Sequence, residues 1–202
     1  MIISVHSENP NLRHIRHALE ALKNGDLIVY PTDTLYGLGC DIFNKMAIEK
    51  IYALRKIDRK KPLSFICHDF SQIAEYAKIS NYGYKVMKSI FPGPYTIVLP
   101  ATNKVPKMLV TKQKTVGIRI PENEFALTLV QEFGAPIIST TITSDDQIAI
   151  SDPEVIHEIY QNQIKYVFSD GLSMSEPSTV LEIKDDEVNV LRKGKGDISF
   201  LY

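Results

Sequence analysis

Apolar residues recur at helical spacing at Leu12, Ile15, Ala18, Leu19 and Leu22, with Asn11 placed to cap the first turn and Gly25 placed to end the last. This predicts an amphipathic helix. The run Leu27 to Tyr30 follows and predicts a buried strand, stopped by Pro31, which fixes its own φ and has no amide proton for a ladder. The pattern then alternates. It predicts a strand at Gly37 to Ile42, a helix at Lys45 to Arg55 with Ile48, Ile51 and Leu54 inward, and a strand at Leu63 to Cys67. Helices follow near Ser71 to Lys78 and Asn81 to Ile90, then a strand at Tyr95 to Pro100 and a short helix near Val105 to Leu109. The second half predicts strands at Val116 to Ile120, Pro136 to Ser139, Tyr166 to Ser169, Thr179 to Ile183 and Val188 to Leu191. Helices there fall near Phe125 to Phe133 and Pro153 to Tyr160. Strands interleaved with helices predict an α/β (α+β) domain around one large sheet.

No Pro/Gly/Ser-rich linker divides the 202 residues, and a 44% hydrophobic composition suffices for one core, so a single domain over 1–202 is expected. The formal net charge of -1 gives no global pull toward nucleic acid or an anionic membrane, so any such binding needs a local patch. Cys40 and Cys67 are the two cysteines, in no CxxC, and are expected as buried thiols in a reducing cytoplasm. No apolar run approaches the ~20 residues a membrane span requires. The histidines form no HExxH, His14 and His17 are expected to be exposed, and no metal-binding cluster is expected from side chains alone.

Candidate chemistry begins just after the first long strand, where Thr32, Asp33, Thr34 and Tyr36 crowd a turn and are expected to point into space. Gly37 and Gly39 there allow close approach of a ligand or a neighbouring strand. The run Arg55 to Lys61 carries five cations against one carboxylate at a helix end. Such residues complement the helix macrodipole, and they equally suit phosphate or RNA. Ser139, Thr140, Thr141 and Thr143 cluster hydroxyls behind an apolar strand. Alternation sets Arg119 and Gly117 on the face opposite Ile118 and Ile120.

The loop Pro31-Thr32-Asp33-Thr34-Leu35-Tyr36-Gly37-Leu38-Gly39 resembles the opening signature of the YrdC/YciO family. Further matches follow in the family's order: Pro62-Leu63, Pro92-Gly93-Pro94-Tyr95-Thr96, Val116 to Pro121, Ser139-Thr140-Thr141, Pro177-Ser178-Thr179-Val180 and Val190 to Gly194. The resemblance implies a twisted mixed sheet with outer helices and an open concave ligand face. It also implies threonylcarbamoyl-AMP synthase chemistry: L-threonine, bicarbonate and ATP with Mg²⁺ condensed to an adenylate for tRNA modification, in company with tRNA-modification proteins. Threonine would then be held by Thr34, Arg119 and Ser178. The nucleotide would be held by Arg55, Arg59, Thr115, Thr141, Thr143, Ser151 and Arg192. The family's Lys-x-Arg pair falls on Arg55 and Ile57, which leaves Arg59 as the nearest substitute cation, and its Ser-x-Asn pair falls on Thr141 and Thr143. At these positions the chain is more similar to the YciO branch, for which the alternative is RNA or nucleotide binding with weak or no synthase activity.

Overall fold

In a computed structural model, described over residues 1–201, ten strands form one continuous mixed sheet. In chain order the elements are β1 (Ile2–Ser4), α1 (Leu12–Lys23), β2 (Leu27–Tyr30), β3 (Gly37–Gly39), α2 (Lys45–Arg55), β4 (Ser64–Ile66), α3 (Phe70–Tyr76) and α4 (Asn81–Ile90). They continue as β5 (Tyr95–Pro100), β6 (Thr115–Arg119), α5 (Glu124–Phe133), β7 (Ile137–Thr141), α6 (Pro153–Tyr160), β8 (Ile164–Ser169), β9 (Thr179–Lys184) and β10 (Glu187–Arg192). The strand order is β1-β8-β2-β3-β7-β4-β6-β5-β9-β10, with parallel pairs at β1–β8, β8–β2, β4–β6 and β5–β9.

The helices form where capping and periodicity agree. The Asn11 side chain accepts from Arg13 N, and Gly25 at φ +74° turns the chain out of α1 into β2. Asn123 caps α5 in the same way, and Gly134 ends it at φ 76°. The expected helix near Val105 is absent. Pro106 lacks an amide proton, and the segment closes as turns, with Leu109 N donating to Pro106 O at 2.8 Å. Leu12, counted on the apolar face of α1, is 60% exposed because it sits in the first turn, ahead of the sheet. His14 and His17 are half-buried rather than exposed, and the His17 ring lies against Tyr166.

Two apolar clusters split on the two faces of the sheet. On one, α2, α3, α4 and α6 pack over Val29, Leu38, Phe65, Ile97, Ile118 and Leu181. On the other, α1 and α5 pack over Ile28, Tyr30, Ile66 and Ile137. The helices therefore occupy both faces, not the outer face alone, because α1 and α5 cover one end of the concave side. The rest of that side is open. Both cysteines are buried thiols, and burial pushes both upward in pKa. No helix among the described residues is long and apolar enough to cross a membrane.

Candidate functional site

Five strands floor a cleft on the open half of the concave face. Ser139, Ser64, Gly117, Val98 and Glu182 are successive Cα partners across β7, β4, β6, β5 and β9. The small residues Ser139, Ser64 and Gly117 leave the middle of the floor low, and a Cβ on Gly117 would stand 2.7 Å from the Ser64 hydroxyl. The cavity is about 720 Å³, walled by the loop after β2, the end of α2, a hairpin at 143–149 and the β9–β10 ribbon. That size suits a nucleotide or a small metabolite.

At one end stands Arg119, ion-paired with Asp33, each side chain only 8% exposed. Burial lowers the guanidinium pKa and the Asp33 charge opposes that shift. The Arg119 Nε and the Asp33 Oδ2 have no partner among the described residues. Thr34 is buried beside them, in a turn closed by the Thr32 hydroxyl, which accepts from Thr34 N at 3.1 Å and donates to Leu35 O at 2.8 Å. Ser178 Oγ lies 2.9 Å from Thr96 Oγ1, and Arg192 donates to the Ser178 carbonyl at 2.8 Å. Burial first, and then the like charge of Arg119, lower the Arg192 pKa. Arg192 reaches this face because of a bulge: Val190 opposes Leu181 on the core side, yet Arg192 opposes Val180. Without the extra residue, alternation would turn Arg192 toward the core.

At the other end stands Arg55, in the last turn of α2 and 7% exposed. Its guanidinium donates to Thr140 Oγ1 at 2.9 Å, to the Thr141 carbonyl and to Gln147 Oε1 at 3.3 Å, all neutral acceptors. Burial lowers its pKa, and its Nε is unpartnered among the described residues. Thr141 lies two residues past Ser139 and Arg119 two past Gly117 in the opposite direction, so the two cationic ends are about 13 Å apart along the strands.

Thr34, Arg119, Ser178, Arg55, Thr115, Thr141, Thr143 and Arg192 all line this one cleft. Arg192, expected on the nucleotide side, stands at the Arg119 end. Two expected residues lie outside the lining. Arg59 is 75% exposed and pairs with Glu49 at 2.6 Å, because the chain turns outward after the left-handed Lys56. Ser151 lends its backbone carbonyl to Ser173 N at 3.0 Å. Tyr36 does not point into space. Its ring is buried and its hydroxyl donates to the Gly171 carbonyl at 2.5 Å and meets Asp170, anchoring the 170–178 loop. Gly37, which lines the cleft, and Gly39 both make room for the Tyr30 ring: Cβ atoms there would sit 2.9 and 2.7 Å from it.

Sequence pattern does not single out Gln147 or the floor residues Ser64 and Glu182, and it does not foretell Asp33 as the partner of Arg119. Beyond the loop after β2 lies another hollow of about 850 Å³, with Glu8, Glu122, Glu124, Asp170 and Glu176 on its walls. Its negative lining disfavours an anion. The floored cleft, with Arg55, Lys61, Arg119 and Arg192 against Glu182, favours one.

Sheet order, cleft and lining define a known class of domain: the chain belongs to the Sua5/YciO/YrdC family, whose model, described as "Telomere recombination", matches residues 20–194. It is 36% identical over 196 residues to YciO of Escherichia coli, covering 96% of this chain and 95% of that protein. The crystal structure of E. coli YciO superposes with a TM-score of 0.94 at 34% identity, over 100% of this chain and 99% of that one. A threonylcarbamoyl-AMP synthase of Vibrio vulnificus is 28% identical over 185 residues, 90% of this chain and 98% of that protein. The structure of P. abyssi Sua5 complexed with L-threonine matches with a TM-score of 0.88 at 28% identity, over 96% of this chain and 57% of that one.

Proposed function

We propose that this protein is a threonylcarbamoyl-AMP synthase-type nucleotidyltransferase, forming an adenylate from L-threonine, bicarbonate and ATP for tRNA modification. The observation that carries the reading is the two-ended cleft: separate cationic ends suit a ligand pair with a carboxylate at one end and phosphates at the other. Arg119, with Thr34 and Ser178 beside it, would hold the amino acid, whose α-carboxylate suits a planar fork of donors. Arg55 and Lys61, with the hydroxyls of Thr141 and Thr143, would hold the phosphates. Threonine's amine and bicarbonate give a carbamate with loss of water. The anionic carbamate oxygen then bonds to the α-phosphorus as the bond to pyrophosphate breaks.

The protein's share is position and charge. The Arg55 guanidinium would stabilise charge as it shifts onto the pyrophosphate, Arg119 would fix the amino acid, and burial makes each contact worth more than in water. Among the described residues no three acidic, histidine or cysteine side chains converge as a metal site. Mg²⁺ would therefore enter on the triphosphate, held by its oxygens and by water, with Thr141 and Thr143 as the nearby hydroxyl donors. The test is pyrophosphate release with ATP and Mg²⁺. Release that requires both threonine and bicarbonate, with threonylcarbamoyl-AMP found by mass spectrometry, supports the reading. Release independent of threonine, or none, overturns it.

One observation favours a second reading, RNA binding with little synthase activity. Lys56, Arg59 and Lys60 stand exposed outside the cleft, where a polyanion too large to enter it could lie. Affinity for duplex RNA would then fall steeply with salt as counterions are released. A flat salt titration removes this reading.

A further inference from the structure

The hairpin at 143–149 closes on itself through a Thr143–Ala149 bridge, with Ser144 N donating to Ile148 O at 2.8 Å and Gln147 N to Ser144 O at 3.0 Å. Its tip carries Asp145 and Asp146, yet the side chain it turns toward Arg55 is the neutral amide of Gln147. Gln147 holds φ at 63°, a left-handed conformation that non-glycine residues seldom adopt. The contact is reciprocal. Arg55 donates to Gln147 Oε1 at 3.3 Å, and Gln147 Nε2 donates to the Arg55 backbone carbonyl at 2.9 Å, one of the free carbonyls at the end of α2. Asp145 is turned outward and pairs with Lys56 at 2.7 Å, both side chains well exposed.

The consequence is electrostatic. The hairpin grips α2 with one carboxylate on the outside and one amide on the inside, so the Arg55 guanidinium is held in place without being neutralised. An acid at the same point would cancel its charge and could not donate to the Arg55 carbonyl. We propose that Gln147 is the positioning residue of the nucleotide end of the cleft: it aims Arg55 and preserves its full charge for a phosphate. The inference rests on reading that end as a phosphate site and needs neither threonine nor bicarbonate.

Calorimetry with ATP and with inorganic pyrophosphate, each alone, tests it on four proteins: wild type, Gln147→Glu, Gln147→Ala and Arg55→Met. Gln147→Glu keeps the shape and the acceptor toward Arg55, adds a negative charge and gives up the amide donor to the Arg55 carbonyl. It is expected to fold with a Tm close to wild type, the new ion pair offsetting the lost amide donor, while losing about tenfold or more in affinity for both anions, the scale of one charge-assisted contact. Gln147→Ala is expected to lose less affinity, because Arg55 is loosened but still charged. A purely structural glutamine would give the opposite pattern, with Gln147→Ala lowering Tm and Gln147→Glu binding as wild type, and that result overturns the inference. If Arg55→Met itself binds both anions as wild type does, the phosphate reading of this end fails first and takes the inference with it.

Discussion

Replacing Asp33 by asparagine removes the countercharge of a guanidinium that is 8% exposed, and the ion pair is the most deeply buried among the described residues. Breaking such a pair from one side costs about 3–5 kcal/mol, because the remaining charge stays buried. One feature places this case at the lower end: the amide in Asp33→Asn would keep an oxygen acceptor for Arg119. A loss of about 3 kcal/mol is a large part of the roughly 5–15 kcal/mol that stabilises a typical domain. For a chain of this size it corresponds to a Tm lower by about 6–12 °C. Arg192 aggravates the loss, since its charge already acts on Arg119.

The assay is urea unfolding of wild type, Asp33→Asn, Arg119→Met and the double variant. The double variant should be more stable than the sum of the singles predicts, by about 2 kcal/mol or more, because it buries no unpaired charge. Additive singles, or an Asp33→Asn protein within about 1 kcal/mol of wild type, would show that the pair is not the buried unit described here.

Arg55→Ala should weaken ATP binding by about 1.5–3 kcal/mol, whereas Arg59→Ala should leave it unchanged and shift stability by at most about 1 kcal/mol, since Arg59 faces solvent against Glu49; calorimetry on the two variants decides. Gly117→Ala sets a methyl 2.7 Å from the Ser64 hydroxyl in the cleft floor, so it should cost about 1–3 kcal/mol in denaturant unfolding and weaken ligand binding together; a variant as stable and as tight as wild type would refute the packed floor. Burial pushes the Tyr36 hydroxyl from the ordinary 10.0 up to about 12. The folded form thus holds this proton more tightly than the unfolded chain, so the stabilisation is intact below pH 10 and is lost as pH rises toward 12. Urea unfolding followed by circular dichroism should show stability falling across that window, with Tyr36→Phe less stable by about 1–3 kcal/mol at neutral pH and losing less stability between pH 10 and 12; a Tyr36→Phe protein that loses stability as steeply as wild type there would count against the buried hydroxyl.

Local rules carry most of the elements. Helix periodicity with Asn caps and glycine stops marks α1 and α5, and apolar runs bounded by Pro31 and Gly37 mark β2 and β3, because these signals act within a few residues. Nothing local marks β1: three residues carry no periodicity, and the strand exists only because β8 pairs with it. Thr140 and Thr141, expected beyond a strand ending at Ser139, lie within β7, held there by β3.

The same division runs through the site. Most of the polar lining of the cleft is legible from motif order and residue type, which pick out Arg55, Arg119, Arg192, Thr34, Thr141, Thr143 and Ser178 together with Arg59 and Ser151, which lie outside it. Which of them meet is decided in three dimensions. Arg119 finds Asp33 from 86 residues away, Arg55 finds Gln147 from 92, and Arg192 faces the cleft only through a one-residue bulge. Arg59 shows the converse, a cation near Arg55 in sequence that a single left-handed residue at Lys56 carries to the other side of the wall. Sequence spacing governs direction within one helix or strand, where the backbone repeat is rigid; across a turn or between strands, direction is settled by pairing and packing.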